Sequence, residues 1–545
     1  MLPDKIFSPL RFGTSGIRAA VKDMTDMECY INTRGFIRHL YKVSEIKPGA
    51  NIALAGDLRL STPSIMASVH KAILDEGCET VFCGFIPTPT LSYYAWKRHF
   101  PSIMVTGSHI PEELNGIKFI KSSEEVLKTD EADILSNVAL VREEEYLKSE
   151  NESLFDANGS FKQLVNLPSA SEEENALSEF QKRYTDIFSP DVLAGKKIVI
   201  YEQSAVGSFL LKKIMESLGA EVICFGKSDK FIPIDTEKMP DTVIDLLKQL
   251  AKEFKPFAIF STDGDSDRPI LADENGSFLS GDLLGTLTAL YLKPEFASIP
   301  VTSNDAAVTT LRKAKIEVAL TKVGSPYCIA SMKEQLAKKP DAKVMSWEKN
   351  GGFLLGSDIN LNNKTLDMLP TRDSILPLLI AVIFCQEEGV SLSSLVNSKL
   401  PRRFTTANAV DNKTTGCESY TAELGKKIIN SFSLKDAIIQ ELNFTDKGPE
   451  TVPFFSDADT VKKAGVIKAS LESYFNSSLG YNPIASINYI DGVRITFSNG
   501  DVAHLRPSSN APEFRIYITA DTEERARKII EDRFIILPKM ISDVV

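Results

Sequence analysis

The chain has 545 residues, of which 43% are hydrophobic and 25% charged, which is typical of a globular protein with about three or four domains. Its net charge of −11 argues against a nucleic acid or an anionic membrane as the main partner, and leaves a small anionic substrate open. The seven cysteines include no Cys-x-x-Cys pair, and their odd number favours reduced thiols. Because "MLPDKIFSPLRF" at the N-terminus lacks the apolar core of a signal peptide, we expect a cytoplasmic protein.

Three stretches of the chain share one layout. Residues 51–84, 196–226 and 297–324 each run from a short apolar segment through a polar loop and a helical stretch to a second apolar segment ending in Gly. The predicted helices have apolar residues spaced by four, as at Ile65 and Val69. Strands joined by helices favour parallel pairing in βαβ units, so the repeats predict three related α/β domains. One large α/β sheet, which would repeat the same layout, is the alternative.

The stretch "SIMVTGSHIPEELNGIKFI" (102–120) runs from an apolar segment into a polar loop that contains Ser108. A rigid loop of this kind, with exposed backbone N–H groups, could hold a phosphate. The adjacent His109 is poorly placed to act as a triad base for its neighbour, and no Gly-x-Ser-x-Gly motif is present. An ordinary serine in a turn before a helix is the alternative interpretation. We name "TGSHIP" (106–111) the serine loop.

The segment from about 145 to 185 interrupts the repeated layout. Its sequences "SENESLFDANGS" and "SASEEENALSE" are polar and have little apolar periodicity. We therefore expect an exposed connection that leads into a second domain.

The stretch "FSTDGDSDRPIL" places acidic side chains at alternate positions, Asp263, Asp265 and Asp267, directly before Arg268. The preceding "PFAIFS" is typical of a buried strand, which puts the acids in the loop at its end. Carboxylates this close repel one another unless a cation neutralises them, and oxygen ligands suit a hard ion such as Mg²⁺. Arg268 beside a metal would offer a fork for phosphate oxygens. We name "DGDSDR" (263–268) the acidic loop.

Two alternatives remain for the acidic loop at this point. An EF-hand would take the three acids at its positions one, three and five and Glu274 at twelve. It would also need Gly at position six, where Arg268 stands, and a preceding helix instead of a strand. A solvated acidic turn is the second alternative, although "RPILAD" immediately afterwards indicates a buried continuation.

Two later loops carry polar groups that suit a sugar phosphate. "EKNGGF" (348–353), named here the sugar loop, presents Glu348 and Asn350, which can accept hydrogen bonds from and donate them to vicinal hydroxyls. "RPSSNAP" (506–512), named the phosphate loop, supplies the groups that phosphate recognition uses. These are Arg506, Ser508 and Asn510. A solvated basic turn is the alternative for the phosphate loop.

Towards the C-terminus the pattern changes. The apolar run 375–385 is shorter than the about 20 residues that a membrane span needs, and it indicates a buried helix. Residues 485–507 alternate short strands with Asp-Gly and Asn-Gly turns, which favour antiparallel hairpins and a final α+β domain.

Together with "RFGTSGIR" (11–18), the four loops resemble, in this order, the motifs of the α-D-phosphohexomutase superfamily, phosphomannomutase/phosphoglucomutase type. The resemblance spans nearly the whole chain. It implies three related α/β domains with mixed sheets and a C-terminal α+β domain around a central cleft. The serine, acidic, sugar and phosphate loops would belong to domains 1–185, 186–295, 296–400 and 401–545, respectively.

The resemblance also implies an activity. The protein would interconvert hexose 1-phosphate and hexose 6-phosphate, mannose phosphates first, through a phosphoserine and a bisphosphorylated intermediate. Mg²⁺ would be the cofactor and hexose 1,6-bisphosphate the activator. Phosphoglucomutase and phosphoglucosamine mutase are alternatives on the same fold, followed by a metal-dependent sugar phosphatase and a non-catalytic sugar-phosphate sensor. The expected partner is a small sugar phosphate, without nucleic acid or membrane, and the chain would be a monomer or small homo-oligomer.

Residue roles follow from the resemblance as well. Ser108 would carry the phosphoryl group, and Lys118 would transfer a proton with support from Arg18 and His109. The metal ligands would be Ser108, through its phosphoryl oxygen, Asp263, Asp265 and Asp267. The substrate-binding residues would be Arg268, Glu348, Asn350, Arg506, Ser508 and Asn510.

The chain departs from the family pattern at Gly107 and Ile110 of the serine loop, where Ala and Asn are common, and at three positions in the other loops. Asn350 stands where Ser is common, Gly352 where His is common, and Ala511 where Glu is usual. These departures leave the phosphoryl-transfer residues intact and leave the preferred sugar open.

Overall fold

The structure is a computed structural model, and it divides into two compact units. The first comprises Met1–Ile299, Leu311–Ala319 and Gly324–Lys399, and the second Pro300–Thr310, Leu320–Val323 and Leu400–Val545. The residues that the structure describes are 10–13, 15–401, 403–410, 421–434, 439–446, 448–454, 457–507 and 514–544.

The first sheet has the strand order β1-β2-β6-β5-β3-β4. Its strands are β1 (Arg11–Phe12), β2 (Gly16–Ala20), β3 (Asn51–Gly56), β4 (Glu79–Phe82), β5 (Ser102–Val105) and β6 (Leu114–Ile120). The accompanying helices are α1 (Asp26–Lys42), α2 (Thr62–Asp75), α3 (Thr88–Lys97), α4 (Lys128–Leu147) and α5 (Glu173–Thr185). A 3-10 turn occupies Val21–Asp23.

The second sheet has the strand order β11-β10-β9-β7-β8. Its strands are β7 (Lys197–Tyr201), β8 (Glu221–Phe225), β9 (Ala258–Thr262), β10 (Pro269–Ala272) and β11 (Phe278–Leu279). The helices that follow its strands are α6 (Ser208–Ser217), α7 (Asp241–Phe254) and α8 (Gly281–Leu292).

The third sheet has the strand order β13-β12-β14-β15-β18, and a separate hairpin pairs β16 with β17. The strands are β12 (Phe296–Pro300), β13 (Glu317–Thr321), β14 (Val344–Trp347), β15 (Phe353–Leu355), β16 (Ile359–Leu361), β17 (Lys364–Leu366) and β18 (Leu369–Asp373). The helices are α9 (Asp305–Lys313), α10 (Ser325–Lys338), α11 (Ile375–Glu388) and α12 (Leu392–Lys399).

The fourth sheet, in the second unit, has the order β19-β25-β24-β23-β22-β20-β21, and its strands pair antiparallel. The strands are β19 (Phe404–Val410), β20 (Glu441–Thr445), β21 (Gly448–Val452), β22 (Ile484–Asn488), β23 (Val493–Phe497), β24 (Val502–Pro507) and β25 (Phe514–Ala520). The helices are α13 (Ala422–Ser431), α14 (Ala458–Tyr474), α15 (Glu523–Glu531) and α16 (Arg533–Val544), with a 3-10 turn at Ser477–Leu479. The predicted hairpins in 485–507 are confirmed.

The first three sheets repeat one topology, and this repetition positions the loops of interest. In each, a central strand (β3, β7 or β12) lies between two neighbours, with the pairs β3–β5, β7–β9 and β12–β14 parallel. The strands β5, β9 and β14 then turn back into the antiparallel neighbours β6, β10 and β15. The serine, acidic and sugar loops are these three connections, so each follows the carboxyl end of an equivalent strand.

The predicted fold class of several mixed α/β sheets is confirmed, and each predicted repeat forms a strand–helix–strand unit. The alternative of one large sheet is wrong, because the described strands form separate sheets. The division into four domains at the predicted boundaries stays a prediction.

The apolar run 375–385 forms most of the helix α11, and all residues of this run except Phe384 are buried, as predicted. Among the residues that the structure describes, no single helix is long and apolar enough to cross a membrane. By length and composition alone, the bent pair of α11 and α12, with 88° between the helices, passes the same test together.

The prediction of an exposed connection over 145–185 is wrong for its last part. The helix α5 buries Ala176, Phe180 and Tyr184, which are spaced by four and lie on one face. The ring of Phe180 meets that of Tyr184 edge to face at 5.4 Å between centroids and contacts Tyr93 of α3 at 5.9 Å. Acidic residues on the other face of α5 obscure this short apolar period in the sequence.

We therefore expect Phe180→Ala to destabilise the first unit by about 3–5 kcal/mol, because it leaves a cavity under α5. Urea unfolding followed by tryptophan fluorescence measures this change, since both tryptophans, Trp96 and Trp347, lie in the first unit. Leu164→Ala is the control, because this leucine is 87% exposed and its loss should move the midpoint little. An unchanged midpoint for Phe180→Ala would contradict the packing of α5.

Candidate active site

The serine loop connects β5 to the antiparallel strand β6, so the alternative of a serine before a helix is wrong. Ser108 is buried and has a left-handed backbone, with φ of 54°. Its N–H donates to Thr106 Oγ1 at 2.7 Å, and the Thr106 hydroxyl donates to Asp57 Oδ2 at 2.7 Å. Asp57 directly follows β3, so the end of the central strand fixes the serine loop.

Arg59 stabilises the serine loop through hydrogen bonds to its backbone. Its buried guanidinium donates to backbone carbonyl oxygens of Ser108, Ile110, Pro111 and Leu114, at 2.6–3.1 Å. The guanidinium also lies over the ring of Phe231, 3.7 Å from the centroid. Sequence reasoning missed Arg59, although its place in the polar loop of the first repeat, just after a buried strand, was an available signal.

The acidic loop connects β9 to β10, and Asp263, Asp265 and Asp267 are all buried. One carboxylate oxygen from each lies within 4.8 Å of the others. The second oxygen of Asp263, Oδ1, accepts from the backbone N–H groups of Asp267 at 3.2 Å and Arg268 at 3.1 Å. The loop therefore folds around Asp263 and turns the acids to one side.

The structure brings the serine loop and the acidic loop together. Ser108 Oγ donates to Asp263 Oδ2 at 2.7 Å, although the two residues are 155 positions apart. Lys118, on β6, donates through Nζ to Asp265 Oδ2 at 2.5 Å and to Asp267 Oδ2 at 2.6 Å. A hydroxyl, an ammonium and three carboxylates thus share one buried site.

The charges of this site perturb one another strongly. Burial raises the pKa of Asp263, and the neighbouring Asp267 and Asp265 raise it further. Burial also opposes ionisation of Asp267, but Lys118 and Arg372 outweigh it and lower the pKa of that carboxyl. Burial would lower the pKa of Lys118, yet Asp265 and Asp267 outweigh it and raise the pKa, so Lys118 is an ammonium here.

His109 lies beside the serine, with Nδ1 3.3 Å from Ser108 Oγ. Burial lowers the pKa of His109 far below its ordinary value, and the cations Arg268 and Arg18 lower it further. The imidazole is therefore neutral, and it can exchange hydrogen bonds without adding charge to the site.

The acidic loop fits a hard divalent cation. Within the described part of the chain, the buried atoms Asp265 Oδ1 and Asp267 Oδ1 have no hydrogen-bond partner, and leaving such atoms unpaired is costly unless a ligand satisfies them. The grouped donors are all oxygens, which Mg²⁺ and similar ions prefer.

Both alternatives for the acidic loop are wrong. A solvated turn is excluded because the aspartates are buried. An EF-hand is excluded because the strand β9 precedes the loop, and because Glu274 accepts hydrogen bonds from the backbone N–H and hydroxyl of Ser393 instead.

The sugar loop lies next to the acidic loop. Glu348 is buried, and its Oε2 accepts from Arg372 Nε at 3.0 Å, while Arg372 Nη1 donates to Asp267 Oδ2 at 3.3 Å. Asn350 is also buried, and its Oδ1 accepts from the backbone N–H of Gly352 at 2.9 Å, so its side chain shapes the turn. Arg372, on β18, was missed by sequence reasoning because a single arginine in a strand carries no pattern.

Further cations surround the acids. Arg268 Nε lies 3.8 Å from Asp263 Oδ2 and 3.7 Å from Asp267 Oδ1, and among the described residues this buried atom has no hydrogen-bond partner. Arg18, on β2, is exposed and interacts electrostatically with Arg268 and Asp265. The cationic side chains therefore form a rim in which further negative charge would be stabilised.

The phosphate loop belongs to the second unit. Arg506, at the end of β24, is buried, and its Nε donates to Asp491 Oδ2 at 2.8 Å. The predicted residues Ser508 and Asn510 lie outside the residues that the structure describes.

Known protein families match two parts of this chain. The model of "Phosphoglucomutase/phosphomannomutase, alpha/beta/alpha domain I" matches residues 9–145, and the model of domain III matches residues 280–403. The first match contains the serine loop and Lys118, and the second contains the sugar loop and Arg372.

Full-length relatives decide the family. A phosphomannomutase of Salmonella muenchen is 34% identical over 528 residues, which cover 96% of this chain and 95% of that protein. A phosphomannomutase of Sinorhizobium fredii is 33% identical, with 97% and 98% covered. The chain belongs to the phosphoglucomutase/phosphomannomutase family. It is accordingly a phosphosugar mutase, an isomerase that transfers a phosphoryl group.

More distant relatives place this mutase among others of the same fold. A probable phosphoglucosamine mutase of Methanopyrus kandleri is 25% identical over 540 residues, with 98% of this chain and 99% of that protein covered. The crystal structure of a putative phosphomannomutase from Thermus thermophilus superposes with a TM-score of 0.66 at 17% identity, covering 96% and 98%. An Aspergillus fumigatus N-acetylphosphoglucosamine mutase in complex with GlcNAc-6P and magnesium superposes with a TM-score of 0.55 at 12% identity, covering 99% and 97%.

The acidic loop of this mutase generates a prediction on metal binding. Mn²⁺, followed by electron paramagnetic resonance, should bind to the purified protein, and Asp265→Asn should weaken the affinity by at least about 100-fold. The control is Asp245→Asn, which removes a carboxylate whose side chain is 78% exposed and should bind the ion like the wild type. Equal affinity of Asp265→Asn and the wild type would contradict the assignment of the acidic loop.

Proposed function

We propose that this protein interconverts hexose 1-phosphates and hexose 6-phosphates, with mannose phosphates preferred, through a phosphorylated Ser108. The observation that carries this proposal is the hydrogen bond of Ser108 Oγ to Asp263 beside the ammonium of Lys118. Phosphoryl transfer depends on charge neutralisation and alignment of the reacting oxygens, and the cations beside Ser108 support the first of these.

In the proposed first step, phosphorylated Ser108 donates its phosphoryl group to the free hydroxyl of a hexose monophosphate. The bond between phosphorus and Ser108 Oγ breaks and a bond between phosphorus and the sugar oxygen forms. Lys118, which is an ammonium, donates its proton to the departing Ser108 Oγ and takes up the proton of the sugar hydroxyl, so that it ends the step as an ammonium again. Arg18 and the neutral His109 assist by hydrogen bonding.

In the second step, the hexose 1,6-bisphosphate presents its other phosphoryl group to Ser108. The bond between that phosphorus and the sugar oxygen breaks, a bond to Ser108 Oγ forms, and the serine proton passes to the sugar oxygen. The isomerised monophosphate then leaves. The left-handed backbone of Ser108 and the clamp of Arg59 keep the accepting oxygen in place for both directions. Burial of the serine limits access of water, which would otherwise hydrolyse the phosphoserine.

The proposed metal ion is Mg²⁺, held by Asp263, Asp265, Asp267 and a phosphoryl oxygen on Ser108. When bound, it would neutralise charge on the phosphoryl group in transfer. The unpaired carboxylate oxygens and the oxygen-only donor set support this choice, and so does the magnesium in the Aspergillus fumigatus structure of the same fold.

The remaining loops would bind the substrate. Glu348 and Asn350 would contact sugar hydroxyls, and Arg268 would contact the phosphate next to the acidic loop. The phosphate that is not transferred would be held by the phosphate loop, through Arg506, Ser508 and Asn510.

The preference for mannose phosphates is supported by the relatives at 34% and 33% identity, which are named phosphomannomutases. Glucose and glucosamine phosphates are the alternatives on the same fold, the latter supported by the relative at 25% identity. A phosphatase that uses the same serine is the alternative of a different class.

Ser108→Ala should abolish interconversion of mannose 1-phosphate and mannose 6-phosphate, with a fall in kcat of at least about a thousandfold, because no oxygen remains to carry the phosphoryl group. Ser123→Ala, an exposed serine in the same unit, is the matched control and should retain full turnover. Turnover by Ser108→Ala near the wild-type value would refute the proposal, and release of inorganic phosphate in place of the isomer by the wild type would favour the phosphatase.

The substrate preference has its own test. We expect kcat/KM of the wild type to be highest for mannose 1-phosphate, by about tenfold over glucose 1-phosphate and glucosamine 1-phosphate, since one altered hydroxyl contact is worth about 1–2 kcal/mol. A coupled assay with the three substrates at equal activator concentration measures it. A higher value for either competitor would leave the mutase chemistry intact and overturn the proposed sugar.

A further inference from the structure

Gly352 and the side chain of Arg372 occupy one space. A Cβ atom built on Gly352 would lie 2.3 Å from Arg372 Cδ and 2.9 Å from Cγ and Nε, which are distances that side chains do not adopt. Gly352 is not among the glycines with positive φ, so its backbone accepts other residues. The close approach of Arg372 is therefore what requires a glycine at this position.

Each nitrogen of the Arg372 guanidinium donates a hydrogen bond to a different structural element. Nε donates to Glu348 Oε2 at 3.0 Å, Nη1 to Asp267 Oδ2 at 3.3 Å, and Nη2 to Ser325 Oγ at 3.1 Å. These partners lie in the sugar loop, in the acidic loop and at the start of α10. A planar fork with three separate partners has one orientation, so Arg372 is fixed.

Glu125 holds this arrangement from behind. Its buried carboxylate accepts from the hydroxyls of Ser325 at 2.8 Å, Thr371 at 2.8 Å and Ser15 at 2.7 Å. Thr371 precedes Arg372 on β18, and Ser325 is the acceptor for Arg372 Nη2. The residue before Arg372 and the serine that accepts from its guanidinium are thus both hydrogen-bonded to one carboxylate.

The fixed orientation of Arg372 in turn orients Glu348. One of its oxygens, Oε2, is committed to Arg372, which sets the plane of the carboxylate and the direction of the other oxygen. A carboxylate whose orientation is fixed before the ligand arrives loses less conformational entropy on binding. The following inference rests on the proposed function. We propose that Arg372 is a positioning residue that orients Glu348 towards the sugar hydroxyls, and that the lack of a side chain at Gly352 leaves the space that Arg372 occupies.

The test uses Gly352→Ala, Arg372→Ala and the double variant. Gly352→Ala displaces Arg372 without removing it, so both single variants should weaken binding of mannose 6-phosphate by about tenfold, the effect of one charged hydrogen bond. The double variant should be no weaker than Arg372→Ala, because the added methyl group then has nothing to displace. Isothermal titration calorimetry with mannose 6-phosphate measures all of them in a Ser108→Ala background, which prevents turnover.

A purely structural role of Arg372 is distinguished by a second titration, with inorganic phosphate as the probe. If Arg372 acts through Glu348, the affinity of Gly352→Ala for inorganic phosphate stays within about twofold of the wild type, since this variant keeps the positive charge of Arg372 and this ligand has no sugar hydroxyls. Equal weakening of both ligands, or additive losses in the double variant, would overturn the proposal. Gly465→Ala is the glycine control, because its Cβ would meet no atom of the described residues within 4 Å.

A further variant and an isomerisation assay distinguish the remaining outcomes. Arg372→Lys retains the charge without the fork and should bind mannose 6-phosphate with reduced affinity even if Arg372→Ala does not fold. A wild type that binds mannose 6-phosphate but does not isomerise it would refute the proposed mutase function. Normal isomerisation by the wild type, together with unaltered sugar affinity in Gly352→Ala, would refute only the role of Arg372.

Discussion

Three carboxylates buried on one short loop impose the constraint on which the rest of the site depends. Like charges at such distances repel strongly away from water, so each must be compensated or protonated. Lys118 from β6, Arg372 from β18 and Arg268 from the acidic loop itself supply that compensation. Asp263, whose pKa is raised by burial and by the other two aspartates, accepts a hydrogen bond from the hydroxyl of Ser108. The charge compensation by these side chains is partial, and a bound divalent ion together with a phosphoryl group would complete it.

The repeated topology explains how residues so distant in sequence meet these charges. The serine, acidic and sugar loops follow β5, β9 and β14, which hold the same position in three sheets. Loops at the carboxyl ends of parallel strands are where α/β proteins place polar groups, because the strands themselves are buried. The same strand–loop–strand connection therefore occurs three times, and each of the three loops contributes different functional groups.

Much of this could be predicted from the sequence, and the reason lies in periodicity. Strand–helix–strand repeats, alternating aspartates and turn dipeptides all leave a local pattern, so the sheets, the acidic loop and the C-terminal hairpins were predictable. The helix α5 was missed because its apolar residues, such as Phe180, are few and stand among acids. Arg59 and Arg372 were missed as site residues because their roles come from contacts with distant loops. Gly352 illustrates the same limit: a glycine in the sequence indicates a turn, whereas here it makes room for a side chain from another strand.

We propose that the acidic loop and the hydroxyl of Ser108 form one phosphoryl-transfer centre around a divalent ion. A crystal of the protein soaked with Mn²⁺ would locate the ion by its anomalous signal. We expect a single strong peak in contact with carboxylate oxygens of Asp263, Asp265 and Asp267, at about 2.1–2.3 Å, and adjacent to Ser108 Oγ. A peak elsewhere in the molecule, or one at the aspartates with Ser108 turned away from it, would rule out this centre.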